Sequence, residues 1–332
     1  MKSPITGKEM ILKTEMRSLV FRKEEFSVVY HYYLCKDSKE QFTSTELDEV
    51  NMKQIYNQYR DKNNLPFPDD IKETREKYGV SAAKMSEVLG FGVNSYRNYE
   101  AGEVPSLANA RLIQLANDPR KFKELVELSD MLKGDAKEKL IDKLELLTEK
   151  EKRSRFSFKL HGYLLSDRLS EFTGYTKPNL ERLTEMVIFF TNELQPWKTK
   201  MNKLLFYADF LLYKKTCVSM SGASYRAINM GPVPNNFNSI FEYIANNDDV
   251  DICETEFVNG NGEQFKPNKK RKFDTKFFNS TELDVLSQVA ERFRDTSTKE
   301  IIKISHEEKG WKENEKERKL ISYKDYGFDL LF

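Results

Sequence analysis

The stretch from Trp197 to Thr216, WKTKMNKLLFYADFLLYKKT, leaves this chain the least freedom in how it can fold. At helical spacing Met201, Leu204, Leu205, Ala208, Leu211 and Leu212 form one apolar stripe, and Phe206, Phe210 and Tyr213 form a second. A helix apolar almost all round belongs at the buried centre of a domain, since any face turned to water would strand one of the stripes. Pro196 suits its first turn, where a missing N–H costs nothing.

The neighbouring segments read as the cover for that helix. Asn179 can cap a preceding helix that carries Leu183, Val187, Phe190 and Leu194. Ser221 to Pro234 reads as an extended stretch ending in the rigid turn Gly231-Pro232-Val233-Pro234. Phe237 to Ile244 is helical in pattern. Two strands, Val250 to Val258 and Glu263 to Phe273, flank the hairpin signal Asn259-Gly260-Asn261-Gly262. Asn279 with Glu282 forms a capping box for a helix with Leu283, Leu286, Val289 and Phe293, and a short helix follows near Lys299 to His306. The most basic patch, Lys266 with Lys269-Lys270-Arg271-Lys272, suits a solvated hairpin edge or a contact with DNA or an acidic partner.

A second constrained stretch runs from Leu65 to Pro105. Ser81 can cap a short helix in which Ala82, Met85 and Leu89 repeat at helical spacing, and Gly90-Phe91-Gly92 breaks it. A further helix, from Val93, sinks Val93, Tyr96 and Tyr99 inward and leaves Asn94, Ser95, Arg97 and Asn98 outward until Gly102 stops it. Two helices joined by a Gly-bearing turn make a helix-turn-helix that lays its second helix in a major groove; an ordinary helical corner is the alternative. Asn94, Arg97 and Asn98 are the candidate base readers, because Asn can pair bidentately with adenine and Arg with guanine; Lys84 and Ser95 suit phosphates. From Asp69 to Asp118 six bases face eight acids, so DNA binding should be weak unless two copies act together. Helical patterns continue through Ser106 to Ala116, Lys121 to Leu128 and Asp135 to Lys150; the last suits a dimerising or connecting helix, or a solvated spacer. A charge-dense run, Glu149 to Arg155, marks a boundary.

Residues 1 to about 60 read as β-rich. Met10 to Val20 alternates imperfectly, Phe26 to Leu34 is β-branched and aromatic, and a helix then shows Val50, Ile55 and Tyr59 on one side. Ser3 with Thr6 and Cys35 with Ser38 have the spacing of two zinc knuckles around a hairpin, yet only Cys35 is a thiol. Hydroxyls stay protonated near neutral pH and are poor zinc ligands, so no structural zinc site can close there. The chain's three cysteines are far apart and its three histidines are isolated, so no disulfide framework, metal centre or cofactor is expected, and no paired nucleophile and base suggests an enzyme. The formal net charge of +1 carries no global basic field, and no apolar run is long enough to cross a membrane; a soluble, cytoplasmic protein is expected.

Two family resemblances sit on these motifs. Gly92-Val93-Asn94-Ser95-Tyr96-Arg97-Asn98-Tyr99-Glu100 with Gly102 resembles the helix-turn-helix of MqsA-type antitoxins, whose N-terminal part carries two zinc knuckles where this chain has Ser3, Thr6, Cys35 and Ser38. The chain departs from that pattern at Asn98, where the family has Arg, with Arg97 displaced by one place. Trp197 to Asp209, then Gly222, Tyr225 and Met230 to Pro234, is similar to the Panacea domain of SocA-like antitoxins, with its K-L-L-Y-Y-A-D helix and G-P-V-P turn. The resemblances imply an antitoxin of a type II toxin–antitoxin system, with a cognate protein toxin and operator DNA as partners and a homodimer as the DNA-binding form. A regulator without a toxin and a proteolytic adaptor for the toxin are the alternatives. Lys203, Tyr207, Asp209, Tyr225, Arg226, Pro232 and Pro234 are the candidates for partner binding. Lys203, Tyr207 and Asp209 equally suit packing, and Asp209 could pair with Arg226.

The expected fold class is α+β and multidomain. A zinc-ribbon-like β domain without zinc spans residues 1–64 and an all-α helix-turn-helix domain 65–130. A helical connector follows over 131–175, then a mainly helical Panacea-like domain with a β-hairpin over 176–332.

Overall fold

The computed structural model describes residues 1–129, 134–153, 165, 169–257 and 260–332. The protein is of mixed α/β class with helix predominating, and it divides into two compact units, residues 1–160 and 161–332.

The first unit opens with a long antiparallel hairpin, β1 (Ile11–Phe21) and β2 (Glu24–Leu34), extended by the short β3 (Gln41–Phe42). Arg22 and Lys23 both take positive φ, so a two-residue primed turn closes the hairpin and matches the right-handed twist of its strands. Helix α1 (Thr45–Asn63) is capped by Ser44 and packs Ile55 and Tyr59 with Phe26, Val28 and Leu65 into a small core. Its buried side also carries polar residues. Asn51 exchanges two hydrogen bonds with the backbone of His31, Gln54 does the same with Val29, and the Gln58 amide donates to Ser27 O. These amides stand where a neighbouring strand would, and they satisfy the outer edge of β2.

Helices α2 (Pro68–Tyr78), α3 (Ala82–Val88), α4 (Ser95–Glu100), α5 (Leu107–Ala116), α6 (Pro119–Leu128) and α7 (Asp135–Arg153) share a second core. Tyr78 stacks on Phe122 at 4.5 Å between centroids, and Leu140 and Leu144 of α7 are buried with them. That burial makes α7 part of the core rather than a solvated spacer. The charge-dense run from Glu149 reaches Arg155, and its last part lies outside the described residues.

The second unit is built around α9 (Lys198–Thr216), which follows α8 (Leu180–Leu194). Asn179 caps α8 as its sequence position suggests, accepting from Arg182 N. Every residue of α9 from Lys200 to Tyr213 is buried, the outcome its two apolar stripes demand. Full burial contributes about 1.5–3 kcal/mol for each large apolar side chain. Pro196 does not occupy the first turn; Trp197 is the cap, with Pro196 before it, and the Pro196 carbonyl accepts from Phe265 N.

Around α9 stand a three-stranded sheet of order β5-β4-β8, made by β4 (Tyr225–Ile228), β5 (Gly231–Pro234) and β8 (Leu320–Ile321), and the hairpin β6 (Val250–Phe257) with β7 (Gly260–Pro267). Helices α10 (Phe237–Asn246), α11 (Ser280–Phe293), α12 (Thr298–Glu307), α13 (Lys309–Lys312) and α14 (Tyr323–Tyr326) complete the unit. The α11 capping box forms as expected, with Asn279 and Glu282 bonding reciprocally. The β6–β7 register differs from expectation. Phe257 pairs with Gly260, so Gly260, Asn261 and Gly262 belong to β7, and Val258 and Asn259 lie outside the described residues.

Candidate functional site

In the first unit the corner between α3 and α4 forms as two short helices on α2. Ser81 caps α3 through Lys84 N. Gly90, at φ +70°, makes the left-handed exit from α3; a Cβ there would meet nothing within 4 Å, so only the backbone conformation would strain a larger residue. Tyr96 is fully buried and donates from its hydroxyl to Ile71 O at 2.7 Å, and the Ser86 hydroxyl accepts from Tyr96 N. These bonds fix α4 against α2 and α3. The helix begins at Ser95, later than the sequence pattern indicates, and Val93 is 78% exposed rather than buried. Gly92 and Asn94 leave Val93 ahead of the first helical turn, so helical periodicity does not govern its direction.

Asn94, Arg97 and Asn98 are exposed side by side at this corner, with Ser95 half-buried. No side-chain hydrogen bond or ion pair occupies Asn94, Arg97 or Asn98 among the described residues. Lys84 is different: its ammonium bonds Glu87 at 2.6 Å, which blunts a role at phosphate. Arg75 is likewise committed, to Glu100. Two features that sequence reasoning missed hold the loop after α4. Arg60, 1% exposed, donates to Gly102 O at 2.6 Å, and Arg22 donates to Val104 O and Pro105 O. Burial pulls the Arg60 guanidinium down to about 10. The N-terminal hairpin and α1 therefore brace the far end of α4.

At the other end of the hairpin, Ser3, Thr6, Cys35 and Ser38 converge. The Thr6 hydroxyl lies 3.4 Å from the Cys35 sulfur, and hydroxyl bonds from Ser3, Ser38 and Thr6 hold the thiol down to about 6. Among the described residues no group of three or more His, Cys, Asp or Glu could hold a metal ion.

The second unit gathers the other candidates around α9, and almost all of them are inside. Lys203, Tyr207, Asp209 and Tyr225 are each 0% exposed, Pro232 and Pro234 are buried, and Arg226 alone is half-buried. Asp209 accepts four hydrogen bonds: from Met220 N, from Ser221 N and its hydroxyl, and from the Tyr225 hydroxyl, at 2.6–2.8 Å. Burial pushes its carboxyl up, and the four donors oppose that push. The expected pair with Arg226 does not form. Arg226 instead donates to Arg318 O and Asn235, because its alternating position on β4 points it away from α9.

Lys203 donates to Pro232 O at 3.0 Å, tying α9 to the Gly-Pro-Val-Pro strand, and burial pulls its ammonium down to about 7. Gly231, at φ +94°, makes that approach possible, since a Cβ there would meet Ser305 Oγ at 2.5 Å and Lys203 Cε at 2.6 Å. The Tyr207 ring packs on Phe293 at 4.8 Å; burial and then the nearby Glu308 carboxylate push its phenol up. His306 stacks on Trp311 at 3.8 Å between centroids, and the Trp311 indole donates to Ile228 O. The basic patch is partly committed too, because Arg271 pairs with Asp249 and Glu185.

Fold and site together describe a helical domain whose diagnostic polar residues are internal struts, arranged to hold one strand against one helix. Residues 201–312 match the family model described as antitoxin SocA-like, Panacea domain, and the match takes in Lys203, Tyr207, Asp209, Tyr225, Arg226 and the Gly231–Pro234 strand. At a coarse level this suggests an antitoxin function and a toxin as partner. No curated protein matches the chain. Among the described residues no helix is long and apolar enough to cross a membrane.

Proposed function

We propose that this chain is the antitoxin of a type II toxin–antitoxin system and not an enzyme. Its second unit neutralises a neighbouring toxin by direct binding, and the corner of α3 and α4 is a helix-turn-helix that represses its own operon. The match of residues 201–312 to an antitoxin domain carries the reading. In it Lys203, Tyr207, Asp209, Tyr225, Pro232 and Pro234 act from within, setting the shape of the surface that meets the toxin, and Arg226 is the member able to reach that surface. The N-terminal turns are knuckles whose metal ligands have been replaced by hydroxyls, leaving a zinc-ribbon-like brace for the DNA reader.

The unoccupied trio Asn94, Arg97 and Asn98 supports base reading. Fluorescence anisotropy with the DNA upstream of the chain's own gene tests it. Arg97→Ala should weaken binding by roughly 1–3 kcal/mol and relax the preference over unrelated DNA. Equal binding of wild type and Arg97→Ala, or no preference for the upstream DNA, would remove the repressor role. Co-purification of the chain with the neighbouring gene product tests the toxin arm.

A further inference from the structure

The two edges of the N-terminal hairpin are treated differently. The primed turn at Arg22-Lys23 makes Phe21 and Glu24 the closing hydrogen-bonded pair, so the backbone groups of β1 alternate from there. Odd-numbered residues face β2, and Leu12, Thr14, Met16, Ser18 and Val20 face outward. In β2 the even-numbered residues face β1, which turns Ser27, Val29 and His31 outward, where the amides of Gln58, Gln54 and Asn51 meet them. Among the described residues nothing equivalent covers β1. It is the end strand of its sheet, and among the described residues no hydrogen bond reaches its outward backbone groups. The register is unbroken by any bulge, the strand contains no proline, and Leu12, Met16 and Val20 are 51%, 67% and 73% exposed. An eleven-residue edge of this kind, about 35 Å long, is a template for another strand.

The strand's own sequence says which strand fits. We propose that the outer edge of β1 is a homodimer interface, in which two copies pair antiparallel about a two-fold axis at Met16 and join their sheets. This register overlaps the strand from Ile11 to Phe21 in full. It sets Leu12 opposite Val20 of the second copy, Thr14 opposite Ser18, and Met16 opposite itself. Glu15 falls opposite Arg17, twice over. The parity is satisfied as well, because outward residues meet outward residues, giving about ten backbone hydrogen bonds. Moving the axis to Glu15 would set Glu15 against Glu15 and Lys13 against Arg17; moving it to Arg17 would set Arg17 against Arg17. An axis between residues would pair outward groups with inward ones. Within one copy Glu15 and Arg17 already form an ion pair at 2.6 Å, so the dimer closes a ring of four alternating charges.

The proposal stands independently of any toxin or operator, and its test needs neither. Sedimentation velocity of the full chain should show a dimer. Glu15→Arg and Arg17→Glu should each raise the dimer dissociation constant about tenfold or more by setting like charges opposite. An equimolar mixture of the two variants should form a heterodimer, since one copy then presents two arginines and the other two glutamates. Met16→Cys should cross-link to itself on oxidation, and it serves if a charge variant fails to fold. A monomeric wild-type chain, a dimer unaffected by both charge variants, or no cross-link at position 16 would overturn the proposal. A strand edge reserved for a different protein would give the first of these results.

Discussion

Lys203 and Asp209 show how a buried charge can be a structural tie. Each lies on the buried helix α9 and reaches backbone across the domain, Lys203 to Pro232 O and Asp209 to Met220 and Ser221 N. The sequence marks both residues by their place in the K-L-L-F-Y-A-D run, but it does not show which groups they hold. Charge alone would pair Asp209 with Arg226; Ser221 and Tyr225 displace that pair because they lie on the α9 side of the chain and the arginine does not. Lys203 makes a pH prediction. Its folded pKa of about 7 lies below the unfolded value of 10.5, so the unfolded chain binds more protons between them and stability rises with pH over that window. Between pH 7 and 9 wild type should gain on the order of 2 kcal/mol relative to Lys203→Met. Urea unfolding followed by tryptophan fluorescence measures this cleanly, since the chain's two tryptophans, Trp197 and Trp311, both sit in the second unit. A constant difference between the two proteins across that range would mean that Lys203 stays charged.

Elements are legible in the sequence where an apolar period or a cap defines them. The hairpin strands, α1, the capped helices and the buried α9 follow from such signals. The failures have local causes: Val93 lies before the helix that its spacing implies, Pro196 precedes a Trp cap, and the glycines after residue 259 continue a strand. The amide ladder of α1 is illegible because Asn51, Gln54 and Gln58 look like an ordinary polar face until β2 is placed beside them. Gln54→Ala should leave both backbone groups of Val29 unpaired and cost about 2 kcal/mol. Hydrogen exchange at the Val29 amide should accelerate more than at Phe26, whose bonds face β1. Uniform acceleration along β2 would mean that the ladder does not protect this edge specifically.

At the scale of the whole molecule, the proposed function divides its labour between the two units. The first carries the corner proposed to read DNA, on a surface poor in positive charge and with Lys84 and Arg75 already paired, so a second copy would matter to its affinity. The second carries the stretch that matches the SocA-like Panacea domain model, with Lys203, Tyr207, Asp209 and Tyr225 turned inward, and the proposed partner surface would take its shape from their packing. Neutralisation is the central claim, and growth rescue measures it most directly. Cells expressing the neighbouring gene product should stop growing alone and recover when this chain is co-expressed at matched abundance, with the two proteins isolated as one complex. Persistent arrest beside a folded, equally abundant chain would contradict the account.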